Sequence, residues 1–245
     1  MREGLTALVG ALGGAVLAVA LVFLAAHQGL LPGNGGTAQI RSYLLAHPEL
    51  MSQMGEKLQA QQEEAASVAA AAKLQKVGMK PFFDPKYAFV TGPANATKTV
   101  VQFYDFNCPF CRASLPALEK HMAKHAADTR YSFIEFPIKG DDSIVAARAT
   151  LASRNQPDKY LALHIALMKE SDLITPDILF ADAKKVGLDM VKLRADMQKP
   201  EIDAAISASI DLAHSVGIDG TPTFIINGVM HPGAVDDATL NKLAG

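Results

Sequence analysis

The sequence predicts an α/β fold with a helical insertion, preceded by an apolar N-terminal helix and a helical stalk. Three observations predict it. Runs rich in β-branched and aromatic residues occur at Thr99–Tyr104, Tyr131–Pro137 and Thr223–Ile226, and such runs suit strands. A long helix-favouring block, roughly 141–216, separates the second run from the third. The opening segment, Leu5 to Ala26, carries no charge.

That opening segment can cross a hydrocarbon core of roughly 30 Å at about 1.5 Å per residue. Residues 1–26 are expected to form a transmembrane anchor, with a cleaved signal peptide as the competing reading. Either one exports the rest of the chain. Residues 27–37 contain a Gly-rich run with Pro32, the composition of a flexible linker.

Residues 38–77 read as a helical stalk. His47-Pro48-Glu49 suits a helix start, and no proline follows until after Val77. Leu44, Met51, Leu58, Ala65 and Ala72 recur every seventh residue, a partial coiled-coil seam. The seam predicts a homo-oligomer formed through 38–77; a spacer helix is the competing reading.

Residues 78–245 read as the main domain. Gly78 to Pro85 breaks the stalk, and Lys86–Val90 is expected to be the first strand. Thr99–Tyr104 is the second, Cys108 to about His125 a helix, and Tyr131–Pro137 the third strand. Within the block 141–216, Pro157, Pro176 and Pro200 each fall where a helix would begin. Thr223–Ile226 and Val229–His231 flank Asn227-Gly228, the dipeptide of a tight hairpin turn. Asp236 to Leu243 closes the chain as a helix.

Net charge is −2 with no block of like charge, which gives nucleic acid nothing to bind. No Gly-rich phosphate cradle and no Ser-His-Asp order occurs. No cofactor and no metal is expected.

The two cysteines of the chain are Cys108 and Cys111 in Asn107-Cys108-Pro109-Phe110-Cys111-Arg112. A solitary Cys-x-x-Cys after an apolar strand, opening a helix, presents a reactive dithiol. The loop is too short for a large entropic gain, so a structural staple explains it poorly. A metal-holding pair is the rival, since thiolates suit copper and zinc. His121 and His125, four apart on the same helix, are candidate extra ligands, but a surface or capping role is the simpler expectation.

Strand, Cys108-Pro109-Phe110-Cys111, helix, helical insertion, Thr221-Pro222, strand and Asn227-Gly228 hairpin together resemble the DsbA-like thioredoxin-fold thiol–disulfide oxidoreductases over about 82–245. Arg41-Ser42-Tyr43-Leu44-Leu45 and His47-Pro48-Glu49-Leu50 are similar to the N-terminal helices of exported members of the suppressor-of-copper-sensitivity type. The resemblance implies a thioredoxin fold acting on exported cysteine-containing proteins, with a membrane redox partner of oxidising or reducing type. It also implies a cis Pro222 against the dithiol, leaving the backbone of Thr221 free to pair with an extended substrate.

Cys108, at a helix start, is expected to be an exposed nucleophile ionised by backbone N–H groups and the helix dipole. Cys111, one turn inward, would resolve the mixed disulfide. Pro109 stiffens the turn. Phe110 brings neither charge nor hydrogen bond, where strongly oxidising relatives carry His, so a milder oxidant is expected. The resemblance places a proton-accepting acid where this chain has Gln102, which cannot titrate. Asp105 is the candidate substitute, or a loop cap. Arg112 is expected to snorkel at the edge of the site. The function expected is an exported, membrane-anchored oxidoreductase acting on envelope proteins, as isomerase, reductase or oxidase; the rival is a metal-binding or chaperone module.

Overall fold

A computed structural model describes residues 35–156 and 158–245. The expected anchor, 1–26, and the helix start at Pro157 lie outside the described residues. Among those described, no helix is long and apolar enough to cross a membrane. The chain divides into two compact units, 1–64 and 65–245.

The first unit contains helix α1 (Gly35–Ala46) and most of helix α2 (Glu49–Val77). Glu49 sits in the first turn of α2, where a carboxylate meets the positive end of the helix dipole. Ile40, Tyr43, Leu45, Met51, Met54 and Leu58 are exposed there.

The second unit begins within α2, whose Leu74 is buried in the core. A short 3-10 helix (Lys80–Phe83) leads to strand β1 (Ala88–Thr91). This strand starts two residues later than the composition suggests. Asp84 holds Lys86 and Tyr87 in a turn by accepting from both backbone amides, so neither amide is free for the sheet.

Strand β2 (Lys98–Tyr104), helix α3 (Pro109–His125) and strand β3 (Thr129–Glu135) follow. Strands β2 and β3 pair in parallel, with Tyr104 opposite Glu135. The insertion consists of α4 (Asp141–Ser153), α5 (Tyr160–Lys169), α6 (Pro176–Lys185), α7 (Met190–Met197) and α8 (Pro200–Ser215). Pro176 and Pro200 occupy first helical turns, where a missing N–H costs nothing. Strands β4 (Thr223–Ile226) and β5 (Val229–Pro232) and helix α9 (Asp237–Ala244) complete the chain. Asn227 (φ 50°) and Gly228 (φ 81°) turn the β4–β5 hairpin in the left-handed region that Gly and Asn tolerate.

The sheet order is β1-β3-β2-β4-β5, and only β2–β3 is parallel. Strand β4 is buried along its length, and β2 and β3 are buried over most of theirs. Helix α3 packs against α5 and α9, and α4 packs against α5 to α8. Phe82, Phe103, Phe133, Phe136 and Phe224 fill the core; each is worth roughly 1.5–3 kcal/mol of apolar burial. The topology brings three things to one place: the end of β2, the start of α3, and the turn entering β4.

Candidate active site

Cys108 is the N-cap of α3, with an extended backbone and Pro109 in the first turn. Its amide closes a turn onto the Asp105 carbonyl at 3.1 Å. The first amides of a helix lack helical partners and point at whatever lies before them, here the Cys108 sulfur. As a thiol, that sulfur donates to the Thr221 carbonyl oxygen at 3.1 Å. The Thr221–Pro222 peptide bond is cis, and Pro222 is buried.

The two sulfurs titrate in opposite directions. The Cys111 thiol donates to Cys108 and does most to lower its pKa, to about 5. The Thr221 hydroxyl and the backbone amides of Cys111 and Phe110 add to this, while burial opposes it. Burial, and then the neighbouring Cys108 thiolate, push Cys111 far above the ordinary thiol range. One sulfur is thus an anion near neutrality and the other keeps its proton.

The expected exposed nucleophile is not exposed in this reduced state: Cys108 is only 1% accessible. The Thr221 carbonyl oxygen lies against its sulfur. Phe110, by contrast, is 64% exposed.

Gln102 is buried, and its carbonyl oxygen has no hydrogen-bond partner among the described residues. Asp105 is buried too, and each of its carboxylate oxygens accepts two hydrogen bonds. Arg112 does not snorkel. Its guanidinium donates to the carbonyls of Phe106 and Ser171 and to the Asn107 side chain.

Sequence reasoning missed Glu135. It is buried at the end of β3, where Tyr104 and Thr150 donate to it, and Tyr104 in turn meets the Tyr160 hydroxyl at 2.7 Å. Burial pushes its carboxyl up to about 8. A carboxylate in a strand covered on both faces was the available signal. Asn107 and Ser143 were also missed; both are bonded to residues far away in the chain.

His121 is not a surface residue. It is buried, bonded to the Tyr131 hydroxyl at 2.7 Å and stacked on His125. Among the described residues no group of three His, Cys, Asp or Glu converges as metal ligands would.

Residues 99–244 match the DSBA-like thioredoxin domain, and residues 37–65 match the copper resistance protein ScsC N-terminal domain. The chain belongs to the DsbA-like thioredoxin family, and it is a thiol–disulfide oxidoreductase of the ScsC-like kind. A thioredoxin-like oxidoreductase from Silicibacter pomeroyi DSS-3 is 38% identical, with TM-score 0.63 over 67% of this chain and 94% of that one. ScsC from Proteus mirabilis, in a transitional conformation, is 26% identical, with TM-score 0.64 over 84% of this chain and 92% of that one. The thiol-disulfide exchange protein alpha-DsbA2 from Wolbachia pipientis is 25% identical, with TM-score 0.66 over 73% and 95%. Among curated proteins, Na(+)/H(+) antiporter NhaA 3 of Salinispora tropica is 30% identical over 61% of this chain. The matched part spans only 23% of that antiporter.

Proposed function

We propose that the chain is an exported disulfide isomerase or reductase of envelope proteins, working through Cys108 and Cys111. The carrying observation is the pair of sulfurs with opposite proton affinities beneath the Thr221–Pro222 turn. In the reductive direction the Cys108 thiolate attacks a substrate disulfide, and one substrate sulfur leaves. The Cys111 thiol then attacks Cys108, giving the Cys108–Cys111 disulfide and the second substrate thiol, which takes up the Cys111 proton. The oxidising direction runs the same steps backwards. Pro222 closes the site, and Thr221 offers its backbone to an extended substrate.

Three features support isomerase or reductase over oxidase. Phe110 brings no charge to the thiolate. The apolar side chains of α1 and α2 stand exposed, as a self-association surface requires. The match over residues 37–65 belongs to the N-terminal part of ScsC. Export rests on the apolar segment 5–26, which also supports membrane anchoring. The antiporter relatives are consistent with action beside a membrane, and a membrane redox partner would regenerate the dithiol. The roles in the domain scheme are 1–26 anchor, 27–37 linker, 38–77 oligomerisation stalk and 78–245 catalytic domain.

The test is turnover of scrambled ribonuclease and insulin. The wild type should reactivate the first and reduce the second. Cys108→Ser should do neither, and Cys111→Ser should accumulate a mixed disulfide. Equal activity of wild type and Cys108→Ser would end the redox reading. The match of residues 37–65 to the N-terminal domain of a copper resistance protein favours a second reading, a dithiol that holds Cu(I) between chains. Stoichiometric Cu(I) binding without turnover would favour it.

A further inference from the structure

Asp105 stands three residues before Cys108, at the place where a substitute proton acceptor for Cys111 would be sought. Its carboxylate is already fully engaged. One oxygen accepts from the Asn107 amide at 2.7 Å and the Ser143 hydroxyl at 2.8 Å. The other accepts from the amides of Ile138 at 2.8 Å and Lys139 at 2.9 Å. A carboxylate has about four lone-pair positions, and all four are taken.

Those donors come from separate parts of the chain. Ile138 and Lys139 follow β3, and Ser143 lies in the first turn of α4. Asn107 extends the same set. Its amide nitrogen donates to the Ser143 hydroxyl and to the Ile174 carbonyl, both at 3.3 Å, and its side-chain oxygen accepts from the Ile174 amide at 2.6 Å. Between them, Asp105 and Asn107 fasten the turn before the nucleophile to the segment after β3, to the insertion's first helix, and to the segment preceding α6. The Asp105 carbonyl also receives the Cys108 amide at 3.1 Å, which ties the backbone of Cys108 to the same turn.

We propose that Asp105, Asn107 and Ser143 are positioning residues that hold the dithiol turn against the helical insertion, and that Asp105 accepts no proton from Cys111. The inference rests on the oxidoreductase reading above. It assigns the proton of Cys111 to the departing substrate thiolate, which the reaction itself supplies. The step then balances: the thiol of Cys111 and the mixed disulfide on Cys108 become the Cys108–Cys111 disulfide and a free substrate thiol. The insertion thereby becomes part of the machinery that presents the nucleophile.

Three variants of the full chain test this: Ser143→Ala, Asn107→Ala and Asp105→Asn. Two readouts are needed. The first is the pH midpoint of Cys108 alkylation by iodoacetamide. The second is the rate at which a glutathione mixed disulfide on Cys108 releases glutathione. All three variants are expected to raise the midpoint by about one pH unit, roughly a tenfold loss of thiolate below it. Release should keep the wild-type pH dependence. The inference is overturned if Asp105→Asn slows release and abolishes its pH dependence while Ser143→Ala and Asn107→Ala behave as wild type. It is also overturned if Ser143→Ala and Asn107→Ala leave the midpoint unmoved. Ser143→Ala removes one oxygen and keeps the test decisive should Asp105→Asn not fold. If the wild type forms no mixed disulfide at all, the oxidoreductase reading itself falls.

Discussion

The Cys108 sulfur and the Thr221 carbonyl oxygen stand 3.1 Å apart, although they lie 113 positions apart in the chain. The sheet makes the contact: β2 and β4 are hydrogen-bonded neighbours, so the segment leaving β2 and the turn entering β4 meet at one end. The geometry around Cys108 is therefore a product of strand pairing as much as of the Cys-x-x-Cys spacing.

The Thr221 hydroxyl is buried with no hydrogen-bond partner among the described residues, and it favours the Cys108 anion. Thr221→Val should raise the alkylation midpoint of Cys108 by roughly one unit or less. Thr221→Ser, which restores the hydroxyl, should return it to the wild-type value. An unchanged midpoint in Thr221→Val would remove the hydroxyl from the site.

His164 is fully buried among the rings of Tyr104, Phe106, Phe133 and Tyr160, and neither ring nitrogen has a hydrogen-bond partner among the described residues. Burial lowers its pKa to about 3. Between about 6.5 and 3 the unfolded chain takes up a proton that the folded one refuses. Stability is lost as pH falls through that window, by about 2 kcal/mol at pH 5. Burial also lowers His121, which acts in the same direction. Denaturant melts of His164→Leu at pH 7 and pH 5 should show a smaller loss than wild type. A parallel loss in both proteins would count against this assignment.

Phe110 is exposed and holds no charge beside the thiolate. Phe110→His should make the dithiol more oxidising by about 30 mV, equivalent to about 1.4 kcal/mol. The equilibrium with glutathione reads this directly. No change would mean that this position does not set the potential.

Met51 and Leu58 recur at the seven-residue spacing and are exposed. If this seam joins copies of the chain, Met51→Asp combined with Leu58→Asp should convert a larger species to a monomer in analytical ultracentrifugation. Ribonuclease reactivation should fall and simple insulin reduction persist. A wild type that sediments as a monomer would remove the case for isomerase action through self-association.

Local signals carried much of the fold. The β-branched runs at Thr99–Tyr104 and Thr223–Ile226, the prolines at 176 and 200, and Asn227-Gly228 each act within a few residues, so composition reveals them. The dithiol was legible for the same reason. The thioredoxin architecture came from resemblance, not from periodicity. The illegible residues depend on distant pairings. Glu135 becomes a buried acid only because Tyr104 lies opposite and Thr150 above. Asn107 reads as an ordinary loop residue until Ile174, 67 positions on, bonds both ends of its amide. His121 reads as a surface histidine until Tyr131 covers it. The burial of Cys108 and its contact with the Thr221 carbonyl were hidden likewise, since a helix start in isolation looks open.

The most direct measurement follows the rate of Cys108 alkylation against pH in the reduced full-length protein, with Cys111→Ser as the single-thiol control. A midpoint near pH 5, several units below an ordinary thiol and shifted upward when Cys111 is replaced, is the expected result. A midpoint in the ordinary thiol range of about 8.5, or one indifferent to Cys111, would contradict the paired-sulfur site.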